Sequence, residues 1–266
     1  MEIPFLTLAA LTRNTNDAGS GDRLNLTINI GGIDVAVAEF VANHPRSRGY
    51  LRRAEAVVSF QTTSLTDSSV RIGTRGDDAW APQHILLIGQ DSRNRVHPIA
   101  METDLTQWLS TDASEGALTI PLRLLAPAQL NTPIRRVLLV VRTANEDDAG
   151  TDDPVQLQIT GSGTIFFSQA INTQDDLDRG KSNWYEFPVV ATSAFTLSDL
   201  RNAHAEATLT MLGDDAWLPS GLFLFGLDTA SGRPTQVIPL AEQAVWRDGW
   251  LSTDADEGRE VAHLHI

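Results

Sequence analysis

The chain contains the same series of short sequence blocks twice, and this internal repeat limits its possible fold more than any other feature. Gly76–Trp80, with the sequence Gly-Asp-Asp-Ala-Trp, recurs as Gly213–Trp217, and Trp108–Asp112 recurs as Trp250–Asp254. Two shorter blocks, Asp-Ala-Gly and Arg-Gly, recur in the same order. Colinear blocks of this length indicate two copies of one domain. Because the chain has 266 residues, each copy is about 130 residues long, an ordinary domain size.

Within each copy, polar and apolar residues alternate with a period of two, which is typical of β-strands that bury one face. The alternation is clear at residues 24–30 in the first copy and at residues 155–159 in the second. About seven or eight short runs of this kind, separated by Gly, Asn, Asp and Pro, predict an antiparallel β-sandwich. We therefore predict an all-β protein with two tandem sandwiches, residues 1–125 and 136–266, joined by a linker at residues 126–135. A helix is expected only at residues 197–203.

Composition and charge exclude several classes of protein. The chain has 34 acidic and 20 basic residues and a net charge of −14, so its overall field would repel the phosphates of nucleic acid. It has no cysteine, which excludes disulfides, thiolate metal sites and cysteine nucleophiles. No run approaches the roughly 20 apolar residues of a transmembrane helix, and the acidic N-terminal sequence lacks the features of a secretion signal. We expect a protein that is cytoplasmic as synthesised, with non-classical export left open.

The sequence patterns of common catalytic sites are missing. The chain has no Gly-x-Ser-x-Gly nucleophile elbow, no His-Glu-x-x-His zinc pattern and no Gly-rich phosphate loop between a strand and a helix. The six histidines have no recurring partner. His263 and His265 alternate along a predicted terminal strand, where solvent or a partner is a more ordinary neighbour than a metal. The chain is therefore predicted to be non-catalytic.

Acidic residues concentrate in three predicted turns of the second copy. They are Asp147, Asp148, Asp152 and Asp153, with Thr151 among them, in the first turn, Asp175 and Asp176 in the second, and Asp214 and Asp215 in the third. Turn chemistry explains each turn taken alone, because Asp and Gly favour bends. Loops at one end of a sandwich converge, however, and carboxylates without Lys or Arg neighbours repel one another. A hard divalent cation relieves this repulsion, and Ca²⁺ takes oxygen ligands of this kind.

The order of features in the second copy resembles the PLAT domain, also called the lipoxygenase-homology domain. The resemblance depends on Asp148–Asp152, Arg179–Gly180, Trp184–Phe187, Asp215–Pro219 and the late Trp250. It covers essentially residues 136–266 and extends more weakly, through the repeat, to residues 5–123. The family occurs in lipoxygenases, in pancreatic-type lipases and in a clostridial toxin. The resemblance implies two eight-stranded, C2-like β-sandwiches that bind lipid or protein.

In calcium-binding PLAT domains the matching loops supply metal ligands, so the resemblance implies a Ca²⁺ site in the second copy. The implied ligands are Asp148, Gly150 (carbonyl), Thr151, Asp152, Asp175, Asp176, Asp215 and Ala216 (carbonyl). The first copy departs from this pattern. Without a gap, Gly21 replaces the second aspartate, unless a one-residue bulge brings Asp22 into its place. We expect the first copy to bind calcium weakly or not at all.

Two contact surfaces are also predicted. Apolar loop tips at the calcium end would enter a lipid interface or contact a partner, although a repeated tryptophan more often packs in a core. These tips are Leu177, Trp217 and Leu218. A basic run in the first copy is either a possible anion-binding patch or simply a solvated face. Its members are Arg46, Arg48, Arg52 and Arg53.

The function expected from these features is that of a non-catalytic, calcium-assisted binding protein. It would engage a lipid surface or a partner protein through loops at one end of a sandwich, and no nucleic acid is expected as a partner. The alternatives are a structural or assembly component of a larger particle or toxin complex and, further, a carbohydrate-binding module or an unrecognised hydrolase. The oligomeric state is left open. Calcium-dependent pelleting with liposomes would favour the first function, whereas defined oligomers formed without lipid or calcium would favour the second.

Overall fold

The computed structural model describes residues 2–30, 32–40, 49–61, 69–172, 177–190 and 194–266. The chain divides into two compact units, Met1–Ala126 and Pro127–Ile266. Within the described ranges, the secondary structure consists of 16 β-strands and one short α-helix. The predicted all-β class is confirmed.

The first unit is a sandwich of two four-stranded antiparallel sheets, with the strand orders β4-β1-β6-β7 and β3-β2-β5-β8. The strands are β1 (Glu2–Thr12), β2 (Leu24–Ile30), β3 (Ile33–Phe40), β4 (Gly49–Gln61), β5 (Ser69–Thr74), β6 (Pro82–Gln90), β7 (Val96–Glu102) and β8 (Thr119–Leu122). Leu8 and Leu87 from one sheet and Leu26 and Ile72 from the other are fully buried in one core. Burial of these inner faces holds the sheets together.

The second unit repeats this topology, with the strand orders β12-β9-β14-β15 and β11-β10-β13-β16. The elements are β9 (Arg136–Thr143), β10 (Val155–Gly161), β11 (Thr164–Ile171), β12 (Ser182–Pro188), α1 (Leu197–Asn202), β13 (Glu206–Met211), β14 (Pro219–Leu227), β15 (Val237–Gln243) and β16 (Val261–His265). Each strand number exceeds its counterpart in the first unit by eight. The prediction of two tandem eight-stranded sandwiches is therefore confirmed.

The linker predicted at residues 126–135 is too long. The Gln129 N–H and the Thr132 hydroxyl both donate to Gln236 Oε1, at 3.1 and 2.8 Å. Ile134 is fully buried in the core of the second unit and forms a β-bridge with Phe195. Burying this isoleucine is favourable by about 2 kcal/mol, so residues 129–134 are part of the second sandwich.

The predicted helix at residues 197–203 is observed as α1, Leu197–Asn202. Its N-terminus has a capping box, in which the Asp199 N–H donates to the Thr196 hydroxyl and the Thr196 N–H donates to the Asp199 carboxylate. Leu197 and Leu200 bury one side of the helix in the core. Among the described residues, no helix has the length and apolar character that a membrane crossing requires.

Candidate functional site

The two tryptophans of the repeated Gly-Asp-Asp-Ala-Trp blocks are core residues. Trp80 and Trp217 are fully buried. Their Nε1 atoms donate to the hydroxyls of Thr12 (2.9 Å) and Thr143 (3.0 Å). Each backbone also forms a β-bridge with the leucine of the repeated Trp-Leu-Ser-Thr-Asp block. The tryptophans thus hold the loops at one end of each sandwich in position.

The prediction of apolar loop tips in the second copy is corrected by the observed burial of these side chains. Leu177 and Trp217 are fully buried in the core, and Leu218 packs partly against it. For both fully buried side chains, burial in the core is more favourable in free energy than exposure to water at a loop tip. The prediction that Leu177 and Trp217 contact a membrane or partner is therefore wrong. The exposed apolar residue beside the third acidic turn is instead Leu212, directly before Gly213 and 53% exposed, which sequence patterns did not single out.

A set of reciprocal hydrogen bonds, here called the clamp, joins the turn after β9 to the turn after β13. Asp153 Oδ2 accepts from the Asp215 N–H (2.8 Å), and Asp215 Oδ2 accepts from the Asp152 N–H (3.2 Å). The Thr151 hydroxyl donates to the Asp215 carbonyl and accepts from the Asp153 N–H, both at 3.1 Å. Two of the three acidic turns therefore meet at one end of the second sandwich.

The same clamp is present in the first sandwich, which aligns the two copies residue by residue. Asp22 Oδ2 accepts from the Asp78 N–H (2.8 Å), and Asp78 Oδ2 accepts from the Gly21 N–H (3.0 Å). Gly21 therefore occupies the position of Asp152, and Asp22 that of Asp153. The bulge that would have moved Asp22 into a ligand position does not occur.

The first glycine of each Gly-Asp-Asp-Ala-Trp block leaves space for one clamp carboxylate, that of Asp153 in the second sandwich and that of Asp22 in the first. A Cβ atom at Gly213 would lie 2.0 Å from Asp153 Cγ, and one at Gly76 would lie 1.8 Å from Asp22 Cγ. The threonine of each Trp-Leu-Ser-Thr-Asp block donates its hydroxyl to the carbonyl of this same glycine, at 2.9 Å in both copies. The repeated residues therefore build a framework that the two copies share.

An open pocket of about 460 Å³ lies beside the clamp of the second sandwich. Its lining residues are Gly150, Thr151, Asp152, Asp178, Arg179 and Asp215. The lining includes four of the predicted calcium ligands. Among the described residues, Asp148 and Ala216 do not line it, although Asp148 lies in the same turn, with a left-handed φ of 60°. Asp175 and Asp176 lie outside the described residues.

The acidic turns have basic neighbours, contrary to the expectation from the sequence. Arg179 lines the pocket and forms an ion pair with Asp147, and Lys181 pairs with Asp178. All four side chains are largely exposed, so these pairs contribute little to stability. Their effect is electrostatic. The positive charges of Arg179 and Lys181 reduce the repulsion among the carboxylates, which the sequence alone predicted a bound cation would relieve.

The oxygen-bearing groups around the pocket are of the kind that Ca²⁺ takes as ligands. The lining offers hard oxygen atoms from the carboxylates of Asp152 and Asp215, the hydroxyl of Thr151 and the backbone carbonyl of Gly150. Within the described part of the chain, no group of three or more His, Asp or Glu side chains is placed to hold a metal ion. The described residues alone therefore do not complete a calcium site.

The basic patch predicted in the first copy is not formed by its described members. Arg52 and Arg53 are consecutive in β4, so their side chains leave opposite faces of the strand. The Arg53 guanidinium lies 3.9 Å from the ring centre of Phe5. Burial lowers the pKa of Arg52. Arg46 and Arg48 lie outside the described residues.

Comparisons with known proteins do not establish a family. No family model and no curated protein matches the chain. Among solved structures, the chain is similar to the alpha toxin from Clostridium absonum, with 18% identity and a TM-score of 0.38. The match covers 52% of this chain and 33% of the toxin chain. At this TM-score the similarity supports no conclusion about fold or function, and the resemblance to the PLAT domain stays a prediction.

Proposed function

We propose that the protein is a non-catalytic binding protein whose second sandwich takes up Ca²⁺ beside the clamp and so engages an anionic group of a lipid surface or partner protein. The observation that supports this proposal is the convergence of Asp152 and Asp215, from turns distant in sequence, on one open pocket. When bound, Ca²⁺ would supply positive charge that links these carboxylates to the anionic group.

The surroundings of the pocket suit a contact surface. The Asp152 carboxylate is not needed for the clamp, which uses the backbone N–H of that residue. Arg179 adds a cation at the rim that would favour an anionic partner. Leu212 places an exposed apolar side chain between β13 and the third acidic turn. An oxygen-lined pocket, a guanidinium and an apolar side chain together match a surface that is both anionic and partly apolar.

Calcium is expected to raise the melting temperature of the full chain, because a ligand that binds only the native state stabilises it. Asp152→Asn removes one pocket charge and leaves the clamp N–H in place. This variant should therefore lose most of the calcium-induced rise in melting temperature, while its melting temperature in EDTA should equal that of the parent chain. Differential scanning calorimetry in Ca²⁺, Mg²⁺ and EDTA measures both quantities. Asp214→Asn is the matched control, since Asp214 is exposed and does not line the pocket.

A calcium shift in Asp152→Asn equal to that of the parent chain would contradict the assigned pocket. Sedimentation with phosphatidylserine vesicles, with and without Ca²⁺, then identifies the surface that is bound. Calcium-dependent pelleting that Asp152→Asn abolishes would support a lipid surface. Calcium binding without pelleting would support a protein partner.

A further inference from the structure

We propose that the equivalent end of the first sandwich binds a phosphate group through Arg13. The loop that carries Arg13 corresponds to the acidic loop of the second sandwich. The Arg13 N–H donates to the Ala81 carbonyl (2.9 Å), and the Ala144 N–H donates to the Leu218 carbonyl (2.8 Å). Ala81 and Leu218 each directly follow a repeated tryptophan. Arg13 therefore occupies the position of Ala144.

The two loops differ strongly in charge. Residues 13–22 contain one arginine and two aspartates, a net charge of −1, whereas residues 144–153 contain five acidic and no basic residues, a net charge of −5. The first loop is thus four charges more positive on an otherwise equivalent framework. It lacks a carboxylate at Gly21, the position of Asp152. These differences make the first loop less attractive to a cation and less repulsive to an anion than the second.

Arg13 has donors for which the described part of the chain supplies no acceptor. Within the described residues, its Nε and Nη2 atoms are shielded from solvent and have no hydrogen-bond partner. Its guanidinium carbon lies 5.4 Å from the ring centre of Trp108, so one face of the group packs on an aromatic ring. A shielded donor without an acceptor is destabilising, and a small rotation of this side chain toward an anion would relieve that cost.

A phosphate group fits these donors. A guanidinium presents parallel N–H groups that match two oxygens of a phosphate, and stacking on an aromatic ring fixes its plane. The clamp carboxylates of this unit already accept hydrogen bonds, Asp22 from the Asp78 N–H and Asp78 from the Gly21 N–H. The net charge of −14 opposes anion binding, so the affinity is expected to be modest and to fall with added salt.

Thermal unfolding of the full chain in EDTA tests this proposal, with sodium phosphate compared with sodium chloride at equal ionic strength and pH. Phosphate should raise the melting temperature of the parent chain above its value in chloride. Arg13→Ala, which introduces the residue of the second copy, should abolish this difference and raise the phosphate dissociation constant at least about tenfold in a calorimetric titration. Arg93→Ala, which removes an exposed arginine of the same unit, should keep the full response.

Two further variants keep the test decisive. Arg13→Lys retains the charge and most of the stem but loses the planar fork, so it should fold and lose most of the phosphate response even where Arg13→Ala does not fold. Gly21→Asp adds a carboxylate where a Cβ would meet no atom within 4 Å, and it should weaken phosphate binding. An unchanged phosphate response in Arg13→Ala or in Arg13→Lys overturns the proposal, as does no response in the parent chain.

Vesicle experiments distinguish the two sources of a phosphate group. Sedimentation in EDTA with phosphatidylcholine vesicles that contain phosphatidic acid, compared with phosphatidylcholine alone, reports on a lipid headgroup. Pelleting that depends on phosphatidic acid and is lost in Arg13→Ala assigns the site to lipid. A response to free phosphate without pelleting assigns it to a soluble phosphate compound. Because calcium is absent throughout, failure here leaves the proposed calcium site of the second sandwich untouched.

Discussion

Trp217→Ala is expected to lower the free energy of unfolding of the second sandwich by about 3–5 kcal/mol. The indole is fully buried, and its Nε1 donates to the Thr143 hydroxyl at 3.0 Å. Alanine would leave a large cavity and remove the donor to a buried hydroxyl. A loss of this size is a large part of the total stability of a typical domain. Urea unfolding followed by far-ultraviolet circular dichroism measures it.

Two variants make this result specific. Trp217→Phe fills most of the space but loses the hydrogen bond, so it should cost less than Trp217→Ala, about 1–2 kcal/mol. Leu212→Ala changes an exposed side chain at the same end of the unit and should change stability by less than about 0.5 kcal/mol. If Trp217→Ala instead left stability unchanged and weakened vesicle binding, the tryptophan would be a loop tip and its burial would be wrong.

The architecture was predictable because its signals are local and repeated. In β10, Val155, Leu157 and Ile159 are fully buried, while the residues between them are only partly buried. This is the arrangement that a period of two dictates in a strand with one core-facing side. The colinear blocks predicted two copies because an identical framework needs identical turn residues. The linker was overestimated because Ile134 is a single apolar residue with no periodic pattern around it.

The candidate site was predictable only in part, because a sequence does not show which acceptor a backbone N–H uses. Asp152 and Asp153 are adjacent and chemically alike. The carboxylate of Asp153 is held by the Asp215 N–H, whereas the clamp uses only the backbone of Asp152. The pairing of Arg179 with Asp147 also joins residues 32 positions apart. Turn composition therefore predicted that the first and third acidic turns meet, and long-range hydrogen bonds decide how the individual carboxylates of these turns are used.

Gly213→Ala is expected to lower the free energy of unfolding of the second sandwich by about 3 kcal/mol, because overpacking and the loss of a charge-assisted hydrogen bond act together. The new Cβ would lie 2.0 Å from both Cγ and Oδ2 of Asp153. Asp153 is a short side chain that cannot move aside without breaking its 2.8 Å bond from the Asp215 N–H. Urea unfolding of the full chain, followed by circular dichroism, measures the effect.

A double-mutant cycle separates this clash from a general intolerance of alanine. Asp153→Ala removes the carboxylate that a Cβ at Gly213 would meet. Adding Gly213→Ala to this variant should therefore lower the free energy of unfolding only a little further. The effects of the two changes should be non-additive by at least about 1 kcal/mol. Gly21→Ala is the control glycine, since a Cβ there meets no atom within 4 Å. It should change stability by less than about 0.5 kcal/mol. Strict additivity of Gly213→Ala and Asp153→Ala would show that the glycine is not required by the carboxylate, and the clamp would no longer explain why both copies share the Gly-Asp-Asp block.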